Sequence, residues 1–560
     1  MKSTPKAQIK DAFSKCKYIF VVGGVISGVG KGVAASSIAL ILKNRGKKVT
    51  AIKIDPYINI DAGTMNPTEH GEVFVLDDGY ECDQDMGNYE RFLDITLTSI
   101  NYMTTGVVYQ SVINKERNLE YGGKCVEVVP HIPLEVIRRI EVARDIAQAD
   151  VVIVEIGGTV GEYQNMLFLE AARMMKSKYE RNVFFVMVSY LPIPSKVGEM
   201  KTKPTQYAVR TLNGSGIQPD VIIARSKVAL DERRKEKLSM FCNIAPDHII
   251  SAPDVDSIYD IPGNFEKEGL GDMICDMVGL SCERADSTLS KKWSQFAKSI
   301  HAAKKEVTIA VIGKYFNTGD FTLSDSYLSV IEAIKYSAYT LGCKPTLIWI
   351  SSDDFEKDPK KVKELKKYDG IIVPGGFGTR GVEGKIKVIE YARRNNIPYF
   401  GLCYGMQLLV IEYARNVLGL KDANTREVNT STSNIVIDVM EDQKEKIATQ
   451  KLGGSMRLGA YTADLKKGSL AEKAYKTSTI TERHRHRYEV NNAYRDSLTK
   501  AGLVFSGLSP DGKLAEIAEL PSSKHPFFLG TQFHPEFKAR PLSPHPLFSA
   551  FIKACIKNKN

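Results

Sequence analysis

Short apolar runs alternate with helical patterns along both halves of the chain. The runs are Tyr18 to Val22, Val49 to Ile54, Val151 to Ile156, Val183 to Val188, Val307 to Ile312 and Gly370 to Val373. Continuous apolar runs of this length, separated by helices, are typical of strands that are covered on both faces of a parallel sheet. The pattern therefore predicts an α/β protein with two units, each built on a largely parallel sheet.

A chain of 560 residues is too long for one hydrophobic core, which agrees with two domains. The segment Leu280 to Lys304 is charged and lacks a buried-strand pattern, so we interpret it as a linker that contains a helix. We therefore expect one domain at residues 1–280, a linker at 281–305 and a second domain at 306–560. No internal repeat or low-complexity tract stands out, which excludes a solenoid.

Composition and charge exclude several classes of protein. The net charge of +10 is spread along the chain, so it indicates polyanionic small ligands only weakly, and we expect no nucleic-acid partner. Nine scattered cysteines without a C-x-x-C spacing argue against a disulfide framework and a zinc ribbon. The longest apolar run, Val183 to Pro192, is roughly half of a bilayer-spanning helix. Met1 to Lys17 is polar and lysine-rich, so we expect no secretory signal, no membrane association and a cytoplasmic protein.

The first candidate site is a glycine-rich turn between a strand and a helix, in YIFVVGGVISGVGKGVAASSIALIL. Glycines let backbone N–H groups close around phosphate oxygens, the helix N-terminus adds partial positive charge, and Lys31 can neutralise the β and γ phosphates. The turn departs from the standard phosphate loop, because Val25 replaces a glycine and Gly32 replaces a hydroxyl residue. A glycine turn without a ligand is the alternative.

Carboxylates are expected to hold magnesium here, since the hydroxyl residue that usually binds the ion is missing. Asp85 lies in the acidic stretch DDGYECDQD, and Glu155 lies in VVIVEIGG at the sheet edge where ligands bind. Lys53 and Asp55 end another strand that points the same way. Together these residues predict a crevice for ATP and Mg²⁺. For Glu155 alone, a capped strand end is the alternative.

A second set of cations lies in GEMKTKPTQ, where Pro204 should interrupt a regular helix. The ammonium groups of Lys201 and Lys203 suit a second triphosphate. A solvated lysine loop is the alternative.

The second half contains a cysteine on a sharp strand-to-helix turn, in IPYFGLCYGMQLL. The pattern G-x-C-x-G around Cys403 is typical of a nucleophile elbow, and a helix N-terminus lowers the pKa of a thiol. In TQFHPEF, His534 can act as the base and Glu536 can orient it. The backbone N–H groups near Gly375 and Gly376 in VPGGFGTRG could form an oxyanion hole. These features predict amide hydrolysis through a thioester.

An ATP-dependent half joined to an amide-splitting half implies that ammonia made at one site is used at the other. The chain here resembles the CTP synthase family over roughly residues 17 to 550. The resemblance lies in GGVISGVGKG, KIDPYIN, GTMNPTEHGEVF, VEIGGTVGE, KTKPTQ, DVDSIY, PGGFGTRGVEG, GLCYGMQ, ERHRHRYEVNN and QFHPEF, in this order.

The resemblance implies a fold and a chemistry. The first domain would be a P-loop-like synthetase domain similar to dethiobiotin synthetase, and the second a flavodoxin-like class I glutamine amidotransferase. ATP would phosphorylate O4 of UTP with the help of Lys31, Lys53 and Mg²⁺ held by Asp85 and Glu155. Ammonia from L-glutamine would then displace phosphate to give CTP, a step of pyrimidine nucleotide biosynthesis. GTP would activate the enzyme and CTP would inhibit it. Chains would form homotetramers from dimers that exist without nucleotides, and some would form filaments.

The resemblance also implies the roles of individual residues. ATP would bind at Ser27, Gly28, Val29, Gly30, Lys31, Gly32, Asp85 and Arg225, with Arg225 stacked on adenine. UTP and CTP would share Ser27, Glu162, Tyr163, Gln164, Lys201, Thr202, Lys203, Thr205, Gln206 and Lys235. Glutamine would bind at Gly375, Gly376, Phe377, Tyr404, Gln407, Glu427 and Arg487, and react at Cys403, His534 and Glu536.

Two positions depart from the family pattern, and two other functions stay open. Gln164 replaces a common acid, which affects the expected balance of UTP and CTP binding, and Tyr404 replaces a common leucine beside the nucleophile. A different amidating ligase of the cobyrinate or biotin-precursor type would lack the KTKPTQ pocket. A filament scaffold without activity would not need Cys403 or Lys31. We interpret His484 and His486 as a structural pair.

Overall fold

The computed structural model describes residues 16–196, 198–281, 287–314, 317–318, 321–322, 324–440, 443 and 453–559. Most of the segment expected to carry no secretory signal, and part of the expected linker, lie outside these residues. The chain divides into two compact units. One comprises Met1–Ile60 and Asn88–Ala297, and the other comprises Asp61–Gly87 and Lys298–Asn560. The domain boundaries expected from the sequence are contiguous, whereas these units are not.

The strands alternate with helices in both halves. The strands are β1 (Lys17–Gly24), β2 (Val49–Asp55), β3 (Val73–Val75), β4 (Glu81–Asp83), β5 (Tyr102–Thr104), β6 (Val151–Ile156), β7 (Val183–Tyr190), β8 (Val221–Ser226), β9 (Ile249–Pro253), β10 (Lys305–Gly313), β11 (Asn317–Thr318), β12 (Phe321–Thr322), β13 (Cys343–Ser351), β14 (Gly370–Val373), β15 (Tyr399–Leu402), β16 (Asn424–Thr425), β17 (Ile435–Val439), β18 (Arg457–Leu465), β19 (Thr479–His486), β20 (Tyr488–Val490), β21 (Val504–Leu508), β22 (Ala515–Glu519) and β23 (Phe528–Thr531).

The α-helices follow the same order along the chain. They are α1 (Lys31–Asn44), α2 (Pro67–His70), α3 (Asp85–Leu93), α4 (Thr105–Arg117), α5 (Val128–Ala147), α6 (Met166–Lys178), α7 (Lys203–Gly214), α8 (Glu232–Cys242), α9 (Ile261–Lys267), α10 (Leu270–Val278), α11 (Thr288–Ala302), α12 (Leu328–Thr340), α13 (Ser352–Lys357), α14 (Val382–Arg394), α15 (Tyr404–Asn416), α16 (Leu470–Tyr475), α17 (Asn492–Lys500) and α18 (Pro546–Lys559).

The first unit is built on a seven-stranded sheet in the order β5-β2-β6-β1-β7-β8-β9. All of its strand pairs are parallel. The inner strands β1 and β6 are buried almost throughout, as the continuous apolar runs predict. Parallel strands need a crossover between them, and α5, α6 and α7 contribute to the main core of this unit.

The second unit contains a nine-stranded sheet in the order β13-β10-β14-β15-β23-β22-β21-β18-β19. The strands from β13 to β23 pair in parallel, as expected. The remaining pairs, from β23 to β19, are antiparallel, and the sequence pattern did not predict this extension. Strands β14 and β15 lie inside the parallel part, so their carboxyl ends open onto the same edge of the sheet.

The segment Asp61–Gly87 packs within the second unit, although more than two hundred residues separate it from the rest of that unit, which begins at Lys298. The carboxylate of Glu72 accepts from the backbone N–H of Ser329 at 3.0 and 3.1 Å, near the start of α12. Arg485 Nε donates to Glu81 Oε1 at 2.7 Å, and both groups are largely buried. Buried charged groups of this kind must be paired, so these contacts join the segment firmly to the unit.

Pro204 lies in the first turn of α7 and does not interrupt a helix. A proline is tolerated there, because the N–H groups of the first turn have no partner within a helix. The stretch GEMKTKPTQ is thus not helical throughout, as expected, although Pro204 lies at the start of a helix and does not break one.

The helix expected in the linker is α11, and it is a packed element of the first unit. The Trp293 indole N–H donates to the carbonyl of Tyr259 at 3.0 Å. The Trp293 ring lies 4.9 Å from that of Phe92, and both Trp293 and Phe296 are buried. Burial of two aromatic side chains stabilises this helix against the unit.

Among the described residues, seven cysteines are free thiols, and all but Cys125 are buried. Cys275 is disulfide-bonded, which the spacing of the cysteines did not predict. No helix in the described part of the chain is long and apolar enough to cross a bilayer.

Replacing Trp293 should destabilise the first unit. Trp293→Ala leaves a cavity among Phe92, Tyr259 and Phe296, which is expected to cost about 3 to 5 kcal/mol. The measurement is thermal unfolding of the full chain followed by circular dichroism. Lys292→Ala, one residue away and exposed, is the matched control. If Trp293→Ala unfolds at the same temperature as the unchanged chain, the packing of α11 does not stabilise the first unit.

Candidate active sites

The phosphate loop follows β1 and leads directly into α1. Gly28 and Gly30 have φ angles of 71° and 92°, a region that favours glycine, and Val25 adopts a φ of 79°. Ile26, Ser27 and Gly28 are exposed at the tip of the turn. No side chain caps the N-terminus of α1, so its first N–H groups, including those near Gly32, point out of the helix without a side-chain acceptor. This geometry is suited to an anion.

Lys31 begins α1, and its side chain is buried beside the same turn. Its Nζ donates to the carbonyl oxygen of Gly158 at 2.9 Å. A Cβ atom on Gly23 would lie 2.9 Å from the Lys31 side chain, so a glycine at position 23 leaves room for that side chain. The ammonium group therefore lies between the loop after β1 and the turn after β6.

Next to this loop, the ends of β2 and β6 hold a buried group of charges. Lys53 and Glu155 are register partners, and their side chains form an ion pair at 3.0 Å. Lys53 also lies 3.6 Å from Asp55, which accepts from the Tyr102 hydroxyl at 2.9 Å. The hydroxyl of Tyr89 donates to Glu155. The predicted crevice residues Lys53, Asp55 and Glu155 are thus together.

Asp85 is the first residue of α3, and its backbone N–H donates to Asp83 Oδ1 at 2.8 Å. It belongs to the segment that packs with the second unit. Among the described residues, no group of three or more His, Cys, Asp or Glu side chains could hold a metal ion. Mg²⁺ bound to a nucleotide needs only one or two protein carboxylates, because phosphates and water complete its shell. Asp85 and Glu155 each carry a carboxylate, the kind of ligand that Mg²⁺ prefers, and their joint role at one ion stays a prediction.

Arg225 lies near the end of β8 and borders a small cavity of the first unit. Its guanidinium donates to Asp254 at 3.0 Å. The cavity is lined mainly by backbone and apolar groups, from Gly30, Val33, Ala34, Ile223, Ser251, Ala252, Pro253, Val255, Ile261, Asn264 and Phe265. This cavity has a volume of only about 20 Å³, so a purine ring would fit there only if the lining moved.

The residues predicted for a second triphosphate differ in exposure. Lys203 is exposed at the start of α7, and Lys201 is half-exposed and pairs with Glu199 at 2.6 Å. Thr205 is fully buried and accepts from Ser189 Oγ at 2.9 Å. Its side chain therefore supports the turn from inside the unit.

Of the remaining predicted residues of this group, Thr202 is buried, and the others are half-exposed or exposed. Thr202 accepts from Gln206 Nε2 at 3.1 Å, and Lys235 lies 3.7 Å from Glu268. Glu162 accepts from the N–H of Thr159 at 2.9 Å, while Tyr163 and Gln164 are exposed.

In the second unit, Cys403 lies at the turn between β15 and α15. Its φ of 50° and ψ of −99° are unusual for a residue with a side chain. A Cβ atom on Gly405 would lie 2.2 Å from the carbonyl oxygen of Val373, so only glycine allows the turn to close. The backbone N–H of Cys403 donates to Thr531 O at 2.6 Å. The predicted nucleophile elbow is therefore present.

His534 lies beside Cys403, and Glu536 holds its imidazole ring. The ring atom Nδ1 of His534 is 2.7 Å from Glu536 Oε1, and the Cys403 thiol hydrogen-bonds to the ring. Burial opposes a charge on His534, but Glu536 and the Cys403 thiolate outweigh it and raise the pKa of His534 to about 10. A protonated imidazole favours the thiolate, which is the nucleophilic form of cysteine.

These residues border a cavity of about 380 Å³. Its wall includes Gly375, Gly376, Phe377, Arg485 and Arg487 from the second half of the chain. It also includes Gly63, Thr64, Met65, Pro67, Glu72 and Val73 from the segment Asp61–Gly87. The sequence pattern did not predict a role for that segment, which contains the motif GTMNPTEHGEVF.

Tyr404, Gln407 and Glu427 do not line this cavity but support the residues that do. Gln407 is buried and donates to the carbonyl of Tyr488 at 2.8 Å. Glu427 accepts from the N–H of Gly378 at 2.6 Å, and the Tyr404 hydroxyl donates to the carbonyl of Gly378 at 3.1 Å. The sequence reasoning also gave no role to Gln532, whose amide donates to Cys403 Sγ at 3.7 Å.

His484 and His486 are buried and lie 3.1 Å apart, Nδ1 to Nε2. Burial and the nearby Arg457 cation lower the pKa of His486 to about 3 and that of His484 well below its usual value. Both rings stay neutral at physiological pH, which agrees with a structural pair.

Comparison with known proteins gives matches over both units. A family model described as CTP synthase N-terminus matches residues 17–280, and one described as Glutamine amidotransferase class-I matches residues 322–554. These matches and the two α/β sheets confirm the predicted fold class.

Three curated relatives cover nearly the whole chain. A CTP synthase of Carboxydothermus hydrogenoformans is 50% identical over 543 residues, which are 97% of this chain and 99% of the relative. A CTP synthase of Pyrococcus abyssi is 50% identical over 546 residues, 97% of this chain and 98% of the relative. A CTP synthase of Halalkalibacterium halodurans is 47% identical over 542 residues, 97% of this chain and 99% of the relative. With a nucleophile elbow in one unit and a phosphate loop in the other, this chain belongs to the CTP synthase family.

Proposed function

We propose that the chain makes CTP through a 4-phosphorylated UTP intermediate, with ammonia released from glutamine at Cys403. Its family membership already makes it a glutamine-dependent ligase that acts on UTP, ATP and glutamine. The observation that carries the proposal is the Cys403 elbow, which opens onto the same cavity as the His534–Glu536 pair.

In the glutamine reaction, the Cys403 thiolate attacks the amide carbon of the glutamine side chain. The backbone N–H groups near Gly375 and Gly376 stabilise the oxygen anion that forms, and His534 donates its proton to the departing ammonia. Glu536 holds the imidazole ring in position. Neutral His534 then removes a proton from water, which hydrolyses the thioester to glutamate and frees the thiol.

In the UTP reaction, the loop from Ser27 to Gly32 and Lys31 hold the phosphates of ATP. O4 of UTP attacks the γ-phosphorus, ADP leaves, and ammonia then displaces phosphate from C4. Lys53 lies beside Glu155 and adds positive charge where negative charge builds up on the transferred group. Positioning and charge neutralisation supply most of the rate enhancement in such reactions.

Asp85 and Glu155 are the residues that would hold Mg²⁺. The ion would neutralise the charge on the phosphates of ATP. Arg225 would stack on adenine, as the family resemblance implies, and it borders a small cavity next to Gly30 of the loop.

UTP and CTP would share the surface formed by Lys201, Lys203, Gln206 and Lys235, together with Thr202, Thr205, Glu162, Tyr163 and Gln164. Because Thr205 is fully buried, it would act by shaping this surface. Gln164 carries no charge, so it repels a triphosphate less than the usual acid would.

Regulation and assembly are proposed from the family resemblance alone. GTP would activate the glutamine reaction, and CTP would compete with UTP. The chains would form homotetramers from dimers, with filaments as a further possibility, and work in the cytoplasm in pyrimidine nucleotide biosynthesis.

Replacing the nucleophile should separate the two nitrogen sources. Cys403→Ala is expected to lower glutamine-dependent CTP formation at least about 1000-fold and to leave formation from ammonium salts within about twofold. The absorbance change from UTP to CTP measures both. Cys125→Ala, at an exposed free cysteine, is the matched control and should keep both activities. Loss of both activities in Cys403→Ala would contradict the division of labour between the two sites.

Replacing the phosphate-loop lysine should remove CTP formation from both nitrogen sources. Lys31→Ala is expected to abolish CTP formation from glutamine and from ammonium alike, because the ATP phosphates lose their cation. The same absorbance assay measures the loss, and Lys48→Ala, at an exposed lysine beyond α1, serves as the control. Retained synthesis from ammonium would remove Lys31 from the mechanism.

A further inference from the structure

Lys385 of α14 is a buried cation that the proposed mechanism does not use. Its side chain is fully buried, and its Nζ has no hydrogen-bond partner among the described residues. Lysine is almost never fully buried unless it is paired, since removing an ammonium group from water is costly. The surroundings of Lys385 must therefore compensate for this cost in another way.

One compensating group is the ring of Tyr404, the residue that follows the nucleophile. Lys385 Nζ lies 5.5 Å from the centre of this ring, and Lys314 Nζ lies 5.9 Å from it. Tyr404 itself is 1% exposed. A cation over an aromatic face is most strongly attracted when both groups are shielded from water, as they are here.

Tyr404 connects the two lysines to the glycine loop of the cavity. Its hydroxyl donates to the carbonyl of Gly378 at 3.1 Å, and the N–H of Gly378 donates to Glu427 at 2.6 Å. A Cβ atom on Gly376 would lie 3.6 Å from Lys314 Cε, so this lysine also lies against the loop. A change at Lys385 can thus reach Gly378, near the oxyanion groups, through one intervening side chain.

We propose that Lys385 is a positioning residue for the glutamine reaction, holding the Tyr404 ring so that its hydroxyl keeps the loop from Gly375 to Gly378 in the reactive geometry. This rests on the proposed role of Cys403. Lys385 does not touch the cavity and acts on the reaction only through Tyr404. A leucine at position 404 would offer neither a ring nor a hydroxyl, so this arrangement depends on Tyr404.

The charge of Lys385 depends on pH in the neutral range. Burial and the neighbouring Lys314 cation lower its pKa to about 7, while Asp353 opposes the shift. The other charged or titratable groups around the cluster are Tyr404, Glu427, Arg380 and Glu356, which couple to Lys314 or lie beside Asp353. Below about pH 7 the ammonium form attracts the ring, and above it the attraction is lost.

The test compares Lys385→Met with Lys387→Met in the full chain. Lys387 lies on the same helix, is half-exposed and makes one contact of 3.5 Å to the carbonyl of Phe355. Lys385→Met is expected to lower kcat/KM for glutamine about 10- to 100-fold at pH 6.5, mainly through kcat. Ammonium-dependent synthesis should stay within twofold. The unfolding temperature should not fall, because methionine removes a buried charge without removing much volume.

Two further measurements distinguish positioning from a general structural effect. The ratio of wild-type to Lys385→Met kcat/KM should be largest at low pH and decline towards one as pH rises through about 7. In a Tyr404→Leu background, Lys385→Met should change kcat/KM less than twofold, since the lysine would then have no ring to hold.

Equal activity of Lys385→Met and wild type with glutamine, or full additivity with Tyr404→Leu, would overturn the proposal. A lowered unfolding temperature together with loss of ammonium-dependent synthesis would overturn it as well. Failure of the proposed function is seen separately, because Cys403→Ala would then keep its glutamine-dependent synthesis.

Discussion

The carboxyl ends of parallel strands carry the reactive groups of both units. In the first unit, the phosphate loop follows β1, and Lys53 and Glu155 lie at the ends of β2 and β6. In the second, the glycine loop follows β14 and Cys403 follows β15. Parallel pairing places these ends on one edge of each sheet, so residues far apart in sequence meet without further design. The positions of the reactive side chains in each site therefore depend on how the parallel strands are paired.

The nucleophile depends on a second constraint, the backbone conformation of Cys403. Cys403 has a φ of 50° and a ψ of −99°, a sparsely populated combination that costs a residue with a side chain on the order of 1 to 3 kcal/mol. The hydrogen bond from Cys403 N–H to Thr531 and the missing side chain of Gly405 hold the residue there. This conformation directs the thiol towards His534, which is why the cost is retained. The same turn also positions Tyr404. Lys314 and Lys385 lie against its ring, so they contact the residue next to the nucleophile.

Buried charges are handled differently in the two units. Lys53 is neutralised directly by Glu155 and Asp55, so that its cost of burial is offset by ion pairs. Lys385 has an aromatic face beside it and a lowered pKa, which makes it partly neutral at physiological pH. The first arrangement places a cation between two carboxylates at the ends of β2 and β6. The second arrangement responds to pH and to the residue at position 404.

The sequence by itself determined the strand-and-helix order, the glycine-rich turn before α1, the elbow at Cys403 and the pairing of His534 with Glu536, because each depends on local residue types and short spacings. Apolar runs predicted the parallel strands for the same reason. Only the tertiary structure decided that the segment Asp61–Gly87 lines the cavity at Cys403 and that Thr205 lies inside the unit. It also decided that the second sheet ends in antiparallel strands. These features arise from contacts between residues hundreds of positions apart, where burial and charge pairing choose the partner and local pattern carries no information.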